Sequence, residues 1–326
     1  MEVLVMTLEG VALGSRIVVR HETGRVGPSG GPEMTDVIGH VQSVDDATVT
    51  ILRRDGDCRT VELQTVVTWK PVPEPAPRRQ RARSVSAEQL TRITSRGWPA
   101  IESVPLGDWE LRAAGRFTGR ANSVAAVGSP GVPFDEALTD VRDFYRQRAM
   151  PALVQVVVGS DQDSTFRAAG WTALEGYHGG AVVQVADLRQ SYQADPAARV
   201  ASVADDDWLA NYGRVDDVPS ARAVLEGPDL VRFVSIGTPA VAIGRVVVTD
   251  QWAGLSAVEV HPEHRRHGLA RRIVETSLAW AVEHGADKAY LQTMRSNTAA
   301  LALYEPYGFA DHHDYVYLQD TGSAQQ

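Results

Sequence analysis

A chain of 326 residues with a formal charge of −9, 44% hydrophobic content and one cysteine is long enough for two or three packed domains. The acidic balance argues against nucleic-acid affinity spread over the whole surface, and the lone Cys58 excludes an internal disulfide or a cysteine metal cluster. No apolar run reaches the ~20 residues of a membrane span, and "MEVLVMTLEG" offers no basic flank before a long apolar stretch, so no membrane partner and a cytoplasmic location are expected.

Residues 11–69 read as all-β. The runs "SRIVVRH", "DVIGHVQSV", "ATVTILRR" and "CRTVELQTVVTW" are short and β-branched, and an Asp55-Gly56 pair marks a hairpin turn. A small, roughly five-stranded SH3-like barrel over residues 1–70 is the expected closure. Its segment "ETGRVGPSGGPEMTD" is expected to be a mobile loop. Such a barrel serves assembly or ligand binding, including capture of a protein acceptor. The following "KPVPEPAPRRQRARS" reads as a stiff Pro/Arg-rich linker over residues 71–85 rather than a nucleic-acid contact.

From about Val85 the pattern turns α/β. Ser86 caps a helix in "SAEQLTRITSRGW"; "WELRAAGRF" and "NSVAAVG" read as strands, and "PFDEALTDVRDFYRQRAM" as an amphipathic helix. "ALVQVVVG" is a buried strand, "STFRAAGW" a short helix and "YHGGAVVQVADL" a strand. A second α/β unit follows, with helices in "DDDWLANYGRV" and "PSARAVLEG", then strands in "LVRFVSIG", "PAVAIGRVVVTD" and "LSAVEV". A helix from His267 to Glu283 comes next, then the strand "KAYLQTM", the helix "NTAALALYEP" and the strand "HHDYVYL". The expected domains are residues 86–190 and 195–320, possessing mixed sheets flanked by helices.

One junction carries chemistry. In "VEVHPEHRRHGLARRIVETSLAWAV" a strand stops at Pro262 and a helix begins around Gly268. The first turn of that helix offers free N–H groups and the positive end of its dipole to an anion. Gly268 and Ala270 leave room for a bulky phosphate, and Arg265, Arg266 and Arg271 add positive charge. On its own, such a loop is equally well a bare structural turn. Downstream, "RSNTAALALYEPYGF" sets Asn297, Ala300 and Tyr304 at i, i+3 and i+7, one face of one helix. Pro306 should distort its last turn, and Gly308 should close it.

Val258–Phe309 resembles the GCN5-related N-acetyltransferase (GNAT) superfamily: a hydrophobic strand, V-x-P-x-x-R-x-x-G-x-G/A, a helix, a strand and N-x-x-A-x-x-x-Y-x-x-x-G-F, in that order. Ala270 in place of the commoner glycine, the bulky His267 and Leu269, and Pro306 are the departures. The resemblance implies a GNAT fold over about Ala198–Leu318 and acetyl-CoA as acyl donor, without a metal. It implies that Val258 and Val260 pair with the pantetheine arm, that Arg265, Arg266, His267, Gly268, Leu269, Ala270 and Arg271 form the pyrophosphate loop, and that Asn297 lies beside the cofactor. Tyr304 is then the acid facing the sulfur. Glu259 is the candidate base, with a structural salt bridge as its alternative. The preceding unit looks like a degenerate copy, because "VGSPGVPFDEAL" stands where the phosphate loop would be.

Two functions fit. One is an N-acetyltransferase acting on a primary amine, a small molecule or a protein lysine or N-terminus; the other is a non-catalytic acetyl-CoA sensor or scaffold. His261, His264 and His267 do not share one helical face, which argues against a metal site. "DHHD", Asp311–Asp314, is expected as an exposed loop or strand entrance.

Overall fold

The computed structural model describes residues 11–27, 30–53, 56–73, 80–176, 179–213 and 215–321. They belong to two compact units that divide between residues 79 and 80.

The first unit is a five-stranded antiparallel sheet: β1 (Arg16–Val26), β2 (Pro32–Val44), β3 (Thr48–Arg53), β4 (Cys58–Glu62) and β5 (Val66–Pro71), in the order β4-β3-β2-β1-β5. Alternation puts Ile17, Val19, Val37, Val41, Val49, Ile51 and Val61 on one buried face. A Cβ at Gly39 would meet the Leu52 carbonyl oxygen at 2.1 Å, so the β2–β3 approach requires glycine. The long run "CRTVELQTVVTW" breaks into two strands at the 3-10 turn Leu63–Thr65. The segment expected as a mobile loop is mostly hairpin: β1 and β2 remain paired as far as Val26 and Pro32, and Thr23 Oγ1 donates to Glu33 Oε2 at 2.6 Å. Residues 28 and 29 of that segment, and Asp55 of the expected Asp-Gly turn, lie outside the described residues.

The second unit begins with the last part of the expected linker, which is not a free spacer. Ala82 and Val85 are buried, and Ala82 N–H donates to Asp187 Oδ1 at 2.8 Å. Then come α1 (Ala87–Gly97), β6 (Glu102–Leu106), β7 (Trp109–Ala113), β8 (Val124–Ala125), α2 (Phe134–Arg146), β9 (Leu153–Val157), α3 (Asp161–Ala168), β10 (Trp171–Ala173) and β11 (Gly180–Asp187). The chain continues through β12 (Ala198–Ala201), α4 (Asp206–Tyr212), α5 (Val218–Glu226), β13 (Val231–Gly237), β14 (Ala240–Thr249), β15 (Trp252–Val260), α6 (Leu269–Glu283), β16 (Lys288–Thr293), α7 (Thr298–Tyr304) and β17 (Ala310–Asp320). Ser86 closes a capping box with Gln89 at the start of α1, as its position before the helix predicts.

The two α/β halves share one mixed sheet, ordered β12-β13-β14-β15-β16-β11-β17-β9-β8-β7-β6 with β10 attached to β17. Their strands interleave. β11, from the first half, pairs on one side with β16 and on the other with β17, both from the second half. In return β17 runs on to pair with β9 and β10 of the first half. The buried Asp320 at its end is held by Arg142 of α2, with Nε–Oδ2 at 2.7 Å. Removing either half therefore strips a central strand from the other and exposes Val183, Val185 and Leu318, all almost fully buried.

Expressed as two separate chains, residues 80–190 and 191–321 should each fail to show a cooperative unfolding transition, and should regain one on mixing. Calorimetry showing that either half folds alone would contradict the shared-sheet description.

Candidate active site

The site grows from a fault in β15. Opposite Gly244 of β14, β15 places both Ala257 and Val258, because the register steps from Arg245↔Ser256 to Ile243↔Glu259. Ala257 takes up the extra residue with φ +54°, a value uncommon outside glycine. On the other side, β15 pairs in parallel with β16 only through Trp252↔Lys288 to Leu255↔Leu291. Past that point the two strands separate, and Ser256–Val260 have no partner on that side among the described residues. Val258 and Val260 thus present an open strand edge. A Cβ at Gly244 would come within 2.4 Å of Ile273, so this glycine lets α6 sit close behind the bulge.

His261 N–H still bonds Val241 O at 2.9 Å; a 3-10 turn at Pro262–His264 then carries the chain to α6. Arg265 turns back and donates through Nε to Val260 O at 3.1 Å, which ties the loop to the strand. Arg266 and Gly268 have φ of +67° and +76°. None of the N–H groups of Arg266 through Arg271 meets an acceptor among the described residues. A Cβ at Gly268 would meet nothing within 4 Å, so the mouth of α6 is open. Arg271 is exposed, whereas Arg272 is ion-paired with Asp195. The features expected at Gly268, Leu269, Ala270 and Arg271 are thus brought together at one helix mouth.

Asn297 is placed differently from the simple helical-face expectation. It is the N-cap of α7, accepting Ala300 N–H at 3.2 Å, so one lone pair of its Oδ1 is used while its amide NH₂ stays available. Pro306 has the expected effect: α7 ends at Tyr304, a 3-10 turn covers Glu305–Tyr307, and Gly308 closes it at φ +83°. Tyr304 is buried against Phe309, with ring centroids 5.4 Å apart, and its hydroxyl has no hydrogen-bond partner among the described residues. Burial pushes its phenol above the ordinary tyrosine range, and the Glu259 charge pushes it further. Glu259, half-buried beyond the bulge, is therefore close enough to Tyr304 to act on it electrostatically.

"DHHD" is strand rather than loop. Arg295 grips Asp314 through two bonds of 2.8 and 2.7 Å and Asp311 through one of 2.8 Å. His312 Nε2 meets the Val85 carbonyl at 2.8 Å and so carries a proton there, which leaves its Nδ1 to accept from His313 Nδ1 at 2.7 Å when the ring is neutral. Burial first, and then His312, lower His313 to about 4. The His261 and His264 rings lie 5.9 Å apart, tilted by 57°, and no group of three potential metal-ligating side chains forms among the described residues.

The corresponding loop of the first half, between β8 and α2, is tied to the turn at Asp108. Asp108 N–H donates to Ser129 O at 2.6 Å, Ser129 N–H to Asp108 Oδ2 at 2.9 Å and Gly131 N–H to Ser129 Oγ at 3.2 Å. The first turn of α2 carries Asp135 and Glu136, which repel an anion.

Residues 86–318 match the family described as "Probable histone acetyltransferase Rv0428c C-terminal", and residues 11–70 match "Rv0428c N-terminal Sm-like domain". This chain belongs to the GNAT acetyltransferases. This GNAT protein is 25% identical over 250 residues to "Uncharacterized N-acetyltransferase YobR" of Bacillus subtilis, covering 69% of this chain and 96% of that one. Over a shorter stretch, 22% of the chain and 46% of the relative, it is 37% identical to the "[Ribosomal protein bS18]-alanine N-acetyltransferase" of Escherichia coli. In fold it is similar to a GCN5-related N-acetyltransferase from Kribbella flavida, with TM-score 0.51, 17% identity, 72% of this chain and 96% of that one covered.

Proposed function

We propose that this GNAT protein transfers the acetyl group of acetyl-CoA to a primary amine by direct attack in a ternary complex. The observation that carries the proposal is the helix mouth of α6: N–H groups from Arg266 to Arg271 without an acceptor among the described residues, beside a strand edge unpaired among them and a phenol without a hydrogen-bond partner among them. Several adjacent N–H donors suit a diphosphate better than a single carboxylate. The residues that would hold the donor are the Arg265–Arg271 loop, the edge at Val258 and Val260, and the amide of Asn297. Bound there, acetyl-CoA supplies an activated thioester. In this reading residues 195–320 carry the chemistry and residues 86–190 wall the acceptor cleft. The family's description names histone as acceptor, and that of the bacterial relative names a ribosomal protein alanine; neither fixes the acceptor here.

Glu259 is the group to take the ammonium proton, since it stands at the splay where the amine must approach. Tyr304 supplies the opposite function. A phenol raised above its ordinary value stays protonated at neutral pH, whereas an alkyl thiol titrates near ~8.5. Complete transfer from Tyr304 to a departing thiolate runs uphill, so the phenol acts as a hydrogen-bond donor to the developing negative charge.

Two variants test this assignment. Gly268→Val forces a β-branched side chain into a left-handed position and into the open mouth, and acetyl-CoA affinity measured by calorimetry should fall by about 2 kcal/mol or more. Unchanged affinity in a folded variant would remove the phosphate-loop assignment. Tyr304→Phe keeps the ring, so kcat and kcat/KM should fall together by about ten- to a hundredfold, with acetyl-CoA affinity preserved. Tyr304 should add no alkaline limb to the pH profile below about pH 10. Release of CoA from acetyl-CoA with a panel of amines is the direct assay, and no release with any amine would leave only a binding protein.

A further inference from the structure

The sheet face opposite α6 and α7 opens onto the same splay. On β16, Leu291 packs with Tyr304 and the α6 core, so Tyr290 and Gln292, its neighbours in alternation, leave the sheet on the other side. Tyr315 of β17 joins that face and donates its hydroxyl to Gln292 Oε1 at 3.2 Å. Gln292 is the first β16 residue past the last pair with β15.

Arg120, on the 3-10 turn Arg120–Asn122, reaches this face. Its guanidinium lies 4.4 Å from the Trp98 ring centroid, and the phenols of Tyr315, Tyr317, Tyr212 and Tyr290 are its electrostatic neighbours. The residue remains partly exposed, yet it makes no hydrogen bond and no ion pair with any described residue. Several other arginines of this unit are satisfied. Arg142, Arg148, Arg167, Arg272 and Arg295 are ion-paired, and the buried Arg112 bonds Ser95, Ser123 and Gln155.

A second cation stands close by. Arg245 lies 4.9 Å from the same Trp98 ring and donates to the Leu225 and Gly97 carbonyls at 2.8 and 3.1 Å. It, too, has no carboxylate within ion-pair reach among the described residues. Burial chiefly, with some repulsion from Arg120, lowers it to about 10. Two guanidinium groups over one indole, with no ion-paired carboxylate among the described residues, make this wall attractive to an anion. Arg245 donates to these two carbonyls and to Ser256 Oγ at 3.4 Å, whereas Arg120 donates to no described residue. A guanidinium fork on an aromatic wall matches a planar carboxylate, which it can hold by two parallel bonds.

We propose that Arg120 binds a carboxylate of the acceptor, so that the amine acetylated by this chain is itself a carboxylate-bearing compound, its anionic end held against the Trp98 wall and its amine at the splay beside Glu259. The proposal rests on the transferase reading above for the place of the amine. It makes a lysine-rich basic segment a poor occupant of this cleft, because its charges would meet Arg120 and Arg245.

The test uses the full chain and a series of ω-amino acids from glycine to 6-aminohexanoate, each matched with its carboxamide. Calorimetric titration into the CoA-saturated protein should show, at one chain length, the acid binding roughly 10- to 100-fold more tightly than its amide. Arg120→Gln should abolish that preference, and Arg120→Lys, a point charge without the fork, should restore part of it. Equal affinities of acid and amide at every length, or a preference that survives in Arg120→Gln, would overturn the proposal. Assaying acetylation of the same compounds separates the two claims. Acid-selective binding with no acetylation of any amine would remove the transferase reading and keep Arg120 as a carboxylate site. Acetylation indifferent to the carboxylate would remove the Arg120 assignment and keep the transferase.

Discussion

A single extra residue in β15 is the constraint on which the site depends. With Ala257 at φ +54°, the strand keeps its antiparallel bonds to β14 and gives up its parallel bonds to β16 after Leu255. The separation leaves a strand edge unpaired, aims Pro262 and the following loop at the mouth of α6, and allows Glu259 and Tyr304 to approach one gap from different elements. Gly244 supports the arrangement from behind, since any side chain there would drive α6 away at Ile273. Unpaired backbone edges are costly or hazardous inside a fold. Here the edge lies where a ligand's amides could complete the pairing.

The shared sheet makes each half part of the other's core. β11 fills the position between β16 and β17, so the second half cannot close its own sheet. The first half supplies Trp98 and Arg120 to the face where the acceptor is proposed to lie. In its loop between β8 and α2, Ser129 N–H donates to Asp108 and Gly131 N–H to Ser129 Oγ. On the reading proposed above, the second half would offer N–H groups to a donor phosphate, while the first completes the sheet and furnishes Trp98 and Arg120.

How far the sequence revealed this depends on the range of each interaction. The junction from Val258 to Arg271 was legible, because a strand, a proline, arginines, a glycine and an amphipathic helix are consecutive and their physics is local. Tyr304 was legible through its spacing from Asn297, although the structure makes Asn297 a helix cap first. The short strands β6, β10 and β12 carry too few residues to show a period. The exchange of β11 and β17 was invisible, since pairing partners more than a hundred residues apart leave no local pattern. Arg120 was missed for the same reason. "FTGRAN" has no motif, and the rings around it come from α1, α4, β16 and β17.

On the proposed reading, one donor site, at α6, serves a protein built from two α/β halves. Calorimetric titration of the full chain with acetyl-CoA measures this directly. Saturation is expected at one acetyl-CoA per chain; saturation near two would show that the loop between β8 and α2 also binds a diphosphate and would contradict a single donor site.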